Sequence, residues 1–272
     1  MADERERWAL ILGASSGFGE AAALALAQDG YHIAGVHLDR RAGMRHVQEV
    51  RARIESFGRE AHFFNVNAAD DEQRAQVLRA LRERFERAQA GGAHSYVRVL
   101  MHSLAFGTLK PFLAPDAGDA ISRKNMEMTL DVMAHSLVYW TQDLVREGFI
   151  EAGSRIYAMT SEGSTRVVGS YGAVSAAKAA LESHCRQLAM ELARHGIGAT
   201  CNAIRAGVTM THALQQIPER DELVEVARRR NPSGRMTTTE DVARAIVTLS
   251  RDGTEWLTGN VLGIDGGEFV TG

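Results

Sequence analysis

Short apolar runs alternate with longer stretches of helical periodicity along this chain. Trp8–Leu12 is a continuous apolar run and predicts a strand buried on both faces. Phe18–Gln28 is rich in Ala and Leu, and Gly30 stops it as a helix. The alternation continues with a strand at Tyr31–Leu38, a helix within Arg41–Phe57 and a strand at Ala61–Val66. A charged amphipathic helix over Asp71–Ala90 ends at Gly91-Gly92, and a strand follows at Val97–His102. A long helix lies within Lys124–Gly148, followed by a strand at Arg155–Thr160 and a helix at Tyr171–His195. The last elements are strands at Gly198–Ile204 and Asn260–Ile264, flanking a helix at Asp241–Arg251. Strand and helix in this rhythm predict an α/β fold, a doubly wound parallel (Rossmann) sheet forming a single domain over residues 1–272. The one long irregular stretch, 206–239, is expected to carry short helices and to cover the substrate.

The composition narrows the function. Of 272 residues, 45% are hydrophobic, enough for a sizeable core, and the net charge of −3 carries no basic field for nucleic acid. The Met1–Arg7 start is charged and no apolar run is long enough to span a membrane, so the expected setting is cytoplasmic. Cys185 and Cys201 form no C-x-x-C pair and are expected to be free thiols.

The chemistry begins at Gly13-Ala-Ser-Ser-Gly17-Phe-Gly19, between the first strand and the first helix. Glycines there let main chain approach a pyrophosphate, and the helix N-terminus offers free N–H groups. Gly13, Ser15, Ser16, Gly17, Phe18 and Gly19 are therefore candidate dinucleotide ligands. The second strand ends in His37-Leu38-Asp39-Arg40-Arg41, where an adenine ribose would lie. An acid there would accept from a free 2′-hydroxyl; a guanidinium would pair with a 2′-phosphate. Both are present. Tyr171 and Lys178 are seven positions apart, which on a helix places them within roughly 20° of one face and about 10 Å apart along the axis.

These segments resemble the short-chain dehydrogenase/reductase family across Trp8 to Gly267, and in particular its enoyl-acyl-carrier-protein reductase branch. Ketoreductases of that family place the tyrosine four residues before the lysine. Here that position is Val174, and Tyr171 stands one turn further up. His102-Ser103-Leu104-Ala105 looks like the enoyl reductases where ketoreductases have Asn-Asn-Ala-Gly, and Met133 replaces their relay asparagine. Asn202-Ala-Ile-Arg-Ala206-Gly207-Val-Thr209-Met-Thr211 resembles the loop that holds the nicotinamide carboxamide, and Leu257–Gly267 matches the family's last strand and turn.

The resemblance implies NAD(P)H-dependent reduction of the C=C bond of an enoyl thioester carried on acyl carrier protein or coenzyme A. Tyr171 and Lys178 would be catalytic, with Ser161 standing where one group of these enzymes has a second tyrosine. The cofactor would be touched by His37, Asn65, Val66, Ser103, Leu104, Ala105, Lys178, Gly207, Thr209 and Thr211. The family position that carries an acid in many NAD enzymes is His37 here, which favours NADPH through Arg40 or Arg41, with NADH the alternative. Other readings are a carbonyl reductase or alcohol dehydrogenase, and a nucleotide-binding regulator without turnover. No metal is implied. A homo-oligomer, a tetramer by resemblance, is expected. Apolar stripes on Lys124–Gly148 (Met126, Leu130, Met133, Leu137, Tyr139) and on Tyr171–His195 (Ala176, Ala180, Leu188, Leu192) point the same way.

Overall fold

A computed structural model describes residues 4–217 and 220–271; Met1–Asp3, Pro218, Glu219 and Gly272 lie outside it, including those that fall within the expected domain and covering segment. Seven strands form one parallel sheet in the order β3-β2-β1-β4-β5-β6-β7. They are β1 (Glu4–Leu12), β2 (His32–His37), β3 (Ala61–Asn65), β4 (Ala93–His102), β5 (Arg155–Thr160), β6 (Thr200–Ala206) and β7 (Val261–Ile264). The doubly wound parallel sheet expected from the alternation is the architecture observed.

The continuous apolar run of β1 follows from burial on both faces. Trp8, Leu10 and Leu12 pack into one layer with α3 (Asp71–Ala90), α5 (Ser136–Arg146) and α6 (Gly172–Arg194). Ala9 and Ile11 pack into the other with α1 (Gly17–Gln28), α2 (Met44–Ser56) and α9 (Thr239–Leu249). All five are fully buried, and each large side chain contributes roughly 1.5–3 kcal/mol by leaving water.

The largest departures from the sequence expectation have physical reasons. β1 starts at Glu4, because its charged leader pairs with Ala93–Tyr96 of a likewise longer β4. Charge is tolerated there because Glu6 meets Arg84 and Ser95, and Arg5 lies 4.6 Å over the Tyr96 ring. The long helix is interrupted: α4 (Arg123–Leu130) passes through a π-helical turn, Asp131–His135, into α5. Its wider turn holds Met133 in the core, and apolar periodicity cannot reveal it. Within 206–239 lie α7 (His212–Gln215) and α8 (Arg220–Arg230).

The strand order reverses between β1 and β4. The crevice beyond their carboxyl ends is where such sheets bind ligands, and Ser103 N–H ties the two together by donating to Leu12 O at 2.8 Å.

Candidate active site

The turn after β1 opens this crevice. Gly13 N–H and Ala14 N–H both donate to Val36 O, at 2.8 and 3.1 Å, which folds the chain back on β2. Gly13 has φ +91°, and a Cβ on it would stand 2.5 Å from Ser103 O. A Cβ on Gly19 would overlap the Gly13 carbonyl. Ser16 is the N-cap of α1, yet its hydroxyl makes no cap bond. The first turn of the helix thus keeps its positive end for an anion in the crevice. Ser15 and Gly17 are half-buried and Ser16 is exposed, while Phe18 packs partly against the α1 core layer.

At the end of β2 the side chains are tied to one another. His37 is buried and its Nδ1 meets Asp39 Oδ2 at 2.9 Å. Asn65 clamps the same loop: its Oδ1 accepts from Asp39 N–H and its Nδ2 donates to Asp39 O, both at 2.9 Å. The Asp39 carboxylate turns over Gly43, where a Cβ would lie 2.7 Å from Oδ1. Arg40 and Arg41 are exposed and enter no ion pair among the described residues. Val66 is half-buried against the core. Asn65 therefore spends both ends of its amide on the loop that carries Asp39, a role the sequence does not announce.

The reacting end gathers residues from β4, β5 and α6. Tyr171 is the N-cap of α6, so the helix carrying Lys178 begins one residue after it. Burial raises the Tyr171 pKa, and the nearby Ser161 hydroxyl draws it partly back. Ser161 Oγ accepts from Gly163 N–H at 3.1 Å. Gly163 admits the tyrosine ring, since a Cβ there would be 2.8 Å from Tyr171 Cε1.

Lys178 is buried and its Nζ donates to Met159 O at 2.7 Å and to Leu104 O at 3.4 Å. It thereby joins the ends of β4 and β5. Burial pulls its pKa down to about 8, against the raising effect of Cys185 and Glu182. Val174, four residues before it, is buried in the core.

His102 is fully buried and serves structure. Ser136 Oγ donates to Val132 O at 2.8 Å, so the 2.9 Å contact with His102 Nε2 assigns the proton to Nε2. Burial, with Lys178 nearby, lowers the His102 pKa to about 3 and keeps the ring neutral. Ser103 and Leu104 are half-buried and Ala105 is exposed at the crevice edge. A Cβ on Gly107 would meet Met133 Sδ and Val174 Cγ2, both at 2.8 Å. Met133 and Val174 thus pack directly against the Gly107 main chain.

The loop after β6 closes the arrangement. Thr209 is buried and donates to Gly207 O at 2.9 Å. Thr211 caps α7 by accepting from Leu214 N–H, and its Cγ2 lies 3.5 Å from the position of a Cβ on Gly17. The loop therefore returns to the glycine turn. One contributor has no precedent in the sequence reading: Glu268, just past the Asp265-Gly266-Gly267 turn, accepts from Val208 N–H. The two cysteines are buried free thiols, and the neighbouring Cys185 thiol together with burial holds the Cys201 pKa up.

Among the described residues no group of three or more His, Cys, Asp or Glu is placed to hold a metal ion. None of the described helices is long and apolar enough to cross a membrane.

A family model described as enoyl-(acyl carrier protein) reductase matches residues 13–268. An NADH-dependent enoyl-[acyl-carrier-protein] reductase of Aquifex aeolicus is 33% identical over 64% of this chain, and the chain spans 63% of that relative's length. An NADPH-dependent aldehyde reductase-like protein of Arabidopsis thaliana chloroplasts is 27% identical over 96% of this chain and 93% of its own. The crystal structure of an enoyl-[acyl-carrier-protein] reductase from A. aeolicus superposes with a TM-score of 0.82 at 26% identity, covering 99% of this chain and 98% of that one.

Proposed function

We propose that this chain, which belongs to the enoyl-(acyl carrier protein) reductase family within the short-chain dehydrogenase/reductases, is an oxidoreductase that uses NAD(P)H to reduce the C=C bond of an enoyl thioester. The observation that carries the reading is the placement of the phenol. Tyr171 comes from the N-cap of α6, near Ser161, while the position four before Lys178 is a buried valine. The packing of Met133 against Gly107 adds to it.

When bound, the dinucleotide supplies a hydride for the β-carbon of the substrate. Negative charge then grows on the thioester oxygen as an enolate. The Tyr171 hydroxyl donates to that oxygen, an interaction stronger in the transition state than in the ground state. Ser161 orients the phenol. Lys178, buried beside the site, would donate to the nicotinamide ribose hydroxyls and place positive charge near the developing oxyanion. The enolate takes its proton at the α-carbon from solvent. Gly13–Gly19 would hold the pyrophosphate, Arg40 or Arg41 a 2′-phosphate, and Ser103–Ala105, Gly207, Thr209 and Thr211 the nicotinamide. The segment 206–239, with α7 and α8, covers the substrate.

A second reading has an observation of its own. Serine, tyrosine and lysine together also suit a ketone substrate, and the aldehyde reductase-like relative aligns over more of the chain than the enoyl reductase does. The readings separate by following NAD(P)H oxidation with crotonyl-CoA and with acetoacetyl-CoA. Turnover of the first supports C=C reduction, and turnover of the second alone replaces it with carbonyl reduction. Tight dinucleotide binding with neither leaves a binding protein.

The carrier proposed is acyl carrier protein or coenzyme A, the setting cytoplasmic and the assembly a homotetramer. Much of the apolar stripe used to expect that assembly is core: Met133, Leu137, Leu188 and Leu192 are buried by the chain's own sheet. Tyr139, 37% exposed, and Ala176 remain outward.

A further inference from the structure

The C-terminal turn puts a carboxyl group under the loop that follows β6. Asp265 Oδ1 accepts from Gly267 N–H at 2.9 Å, and Gly266 and Gly267 adopt φ of +62° and +89°. This tight turn swings Glu268 inward until only 2% of it is exposed. Its Oε1 accepts from Val208 N–H at 3.2 Å. Its Oε2 is buried without a partner and lies 2.8 Å from where a Cβ on Gly207 would be. Thr237 Oγ1 crowds the same point. Gly207 is therefore a glycine because the carboxyl and the hydroxyl occupy its side-chain space.

The turn itself is clasped. Arg230 donates to Glu268 O and Thr271 O, each at 3.1 Å, and Arg166 donates to Phe269 O at 3.1 Å. Arg230 and Arg166 both face Glu162, next to Ser161. The tail thus bridges the loop after β6 and the loop that holds the catalytic hydroxyls.

We infer that Glu268 is a positioning residue for the nicotinamide end of the site, holding the Gly207–Thr209 turn through the Val208 N–H. This rests on the reading that the 207–211 loop receives the nicotinamide. Burial raises the Glu268 pKa, as do the neighbouring Glu162 and Asp265, while the Val208 N–H bond and Arg230 oppose them. The bond to Val208 needs an acceptor oxygen; a carboxylate accepts most strongly, and an amide keeps the bond at reduced strength.

The test is a binding split. Titrate wild type, Glu268→Ala, Glu268→Gln and Thr211→Val with NADH, NADPH and ADP-ribose, the last lacking the nicotinamide, and record thermal melts for each. Glu268→Ala is expected to weaken whichever reduced dinucleotide the wild type binds by about tenfold, the size of one lost hydrogen bond with its donor left unpaired. ADP-ribose affinity stays within about twofold, and Glu268→Gln, which keeps an acceptor for Val208 N–H, loses clearly less than Glu268→Ala. Should Glu268→Ala not fold, Glu268→Asp, one methylene short of Val208, carries the same comparison. Equal losses for dinucleotide and ADP-ribose would mean general damage and overturn the assignment. So would a Gln variant as weak as Ala, or an Ala variant like wild type. Thr211→Val separates this from the underlying reading. If it weakens the dinucleotide alone and Glu268→Ala does not, only the Glu268 role falls; if neither does, both fall.

Discussion

The end of the crevice proposed for the pyrophosphate and the end proposed for the reaction are made of different materials. At the first, main chain does the shaping: Gly13 turns at φ +91° against Ser103 O, and Gly19 lies on the Gly13 carbonyl. At the second, side chains converge from separate elements: Ser161 after β5, Tyr171 and Lys178 on α6, and Glu268 from the tail. A main-chain site is specified by the absence of Cβ atoms, and nothing at it titrates. A side-chain site depends on burial and partners, and its proton equilibria move: Tyr171 up, Lys178 down to about 8. Damage to the first should be steric and independent of pH; damage to the second should be chemical and graded.

The sharpest break is Gly19→Val. Its branched side chain has no room above the Gly13 carbonyl. Overpacking of this kind costs about 3 kcal/mol, and dinucleotide binding should vanish at every pH. Binding that survives, measured by fluorescence titration, would show that the turn is not held as described.

Tyr171→Phe should leave the dinucleotide bound and lower kcat by about 10²–10³, the usual worth of one oxyanion donor. Wild-type kcat on an enoyl thioester would remove the phenol from the chemistry.

Lys178→Met exposes the cost of the reacting end. The ordinary lysine pKa of 10.5 falls to about 8 in the folded chain. Between those values the unfolded chain binds more protons, so wild-type stability should rise as pH climbs from about 8 to 10.5. Below about 8 the buried ammonium exacts its whole penalty. The Met variant should lack that rise and be more stable at pH 7 by up to about 3 kcal/mol. The gain is reduced by the Met159 and Leu104 carbonyls left without their donor. Activity should be lost. Urea melts at pH 7 and pH 10 check the sign; a variant less stable than wild type at pH 7 contradicts it.

How much of each end could be read in advance follows the same division. The glycine turn is local: seven consecutive residues between a strand and a helix, with Gly13 and Gly17 at positive φ and Gly19 against the Gly13 carbonyl. The seven-residue spacing of Tyr171 and Lys178 is also local, and it stayed legible even though Tyr171 is the cap of α6 and not an interior residue. The contacts the sequence hides pair residues far apart. Asn65 clamps Asp39 across 26 positions, His102 meets Ser136 across 34, and Glu268 reaches Val208 across 60. No periodicity encodes such pairs, because their partners are chosen by the strand order. The π turn at Met133 is hidden for another reason: it changes hydrogen-bond phase without changing composition.

The smallest expected effect lies at the adenosine end, where both kinds of construction meet. Asp39 is tied to His37 and Asn65, leaving Arg40 and Arg41 as exposed charges. Replacing both arginines with alanine should cost NADPH about 1.5–3 kcal/mol more than NADH, the worth of a charge-assisted phosphate contact. Equal losses in paired titrations, or a wild-type preference for NADH, would place the choice of cofactor elsewhere.

The central claim is that the hydride goes to a carbon of a C=C bond. Its most direct measurement uses NADPH, and NADH in parallel, fully deuterated at C4 of the nicotinamide, with crotonyl-CoA and acetoacetyl-CoA offered together. The account predicts butyryl-CoA carrying deuterium at C3, with the new hydrogen at C2 drawn from solvent. Label found only in 3-hydroxybutyryl-CoA, with no labelled butyryl-CoA, would contradict it.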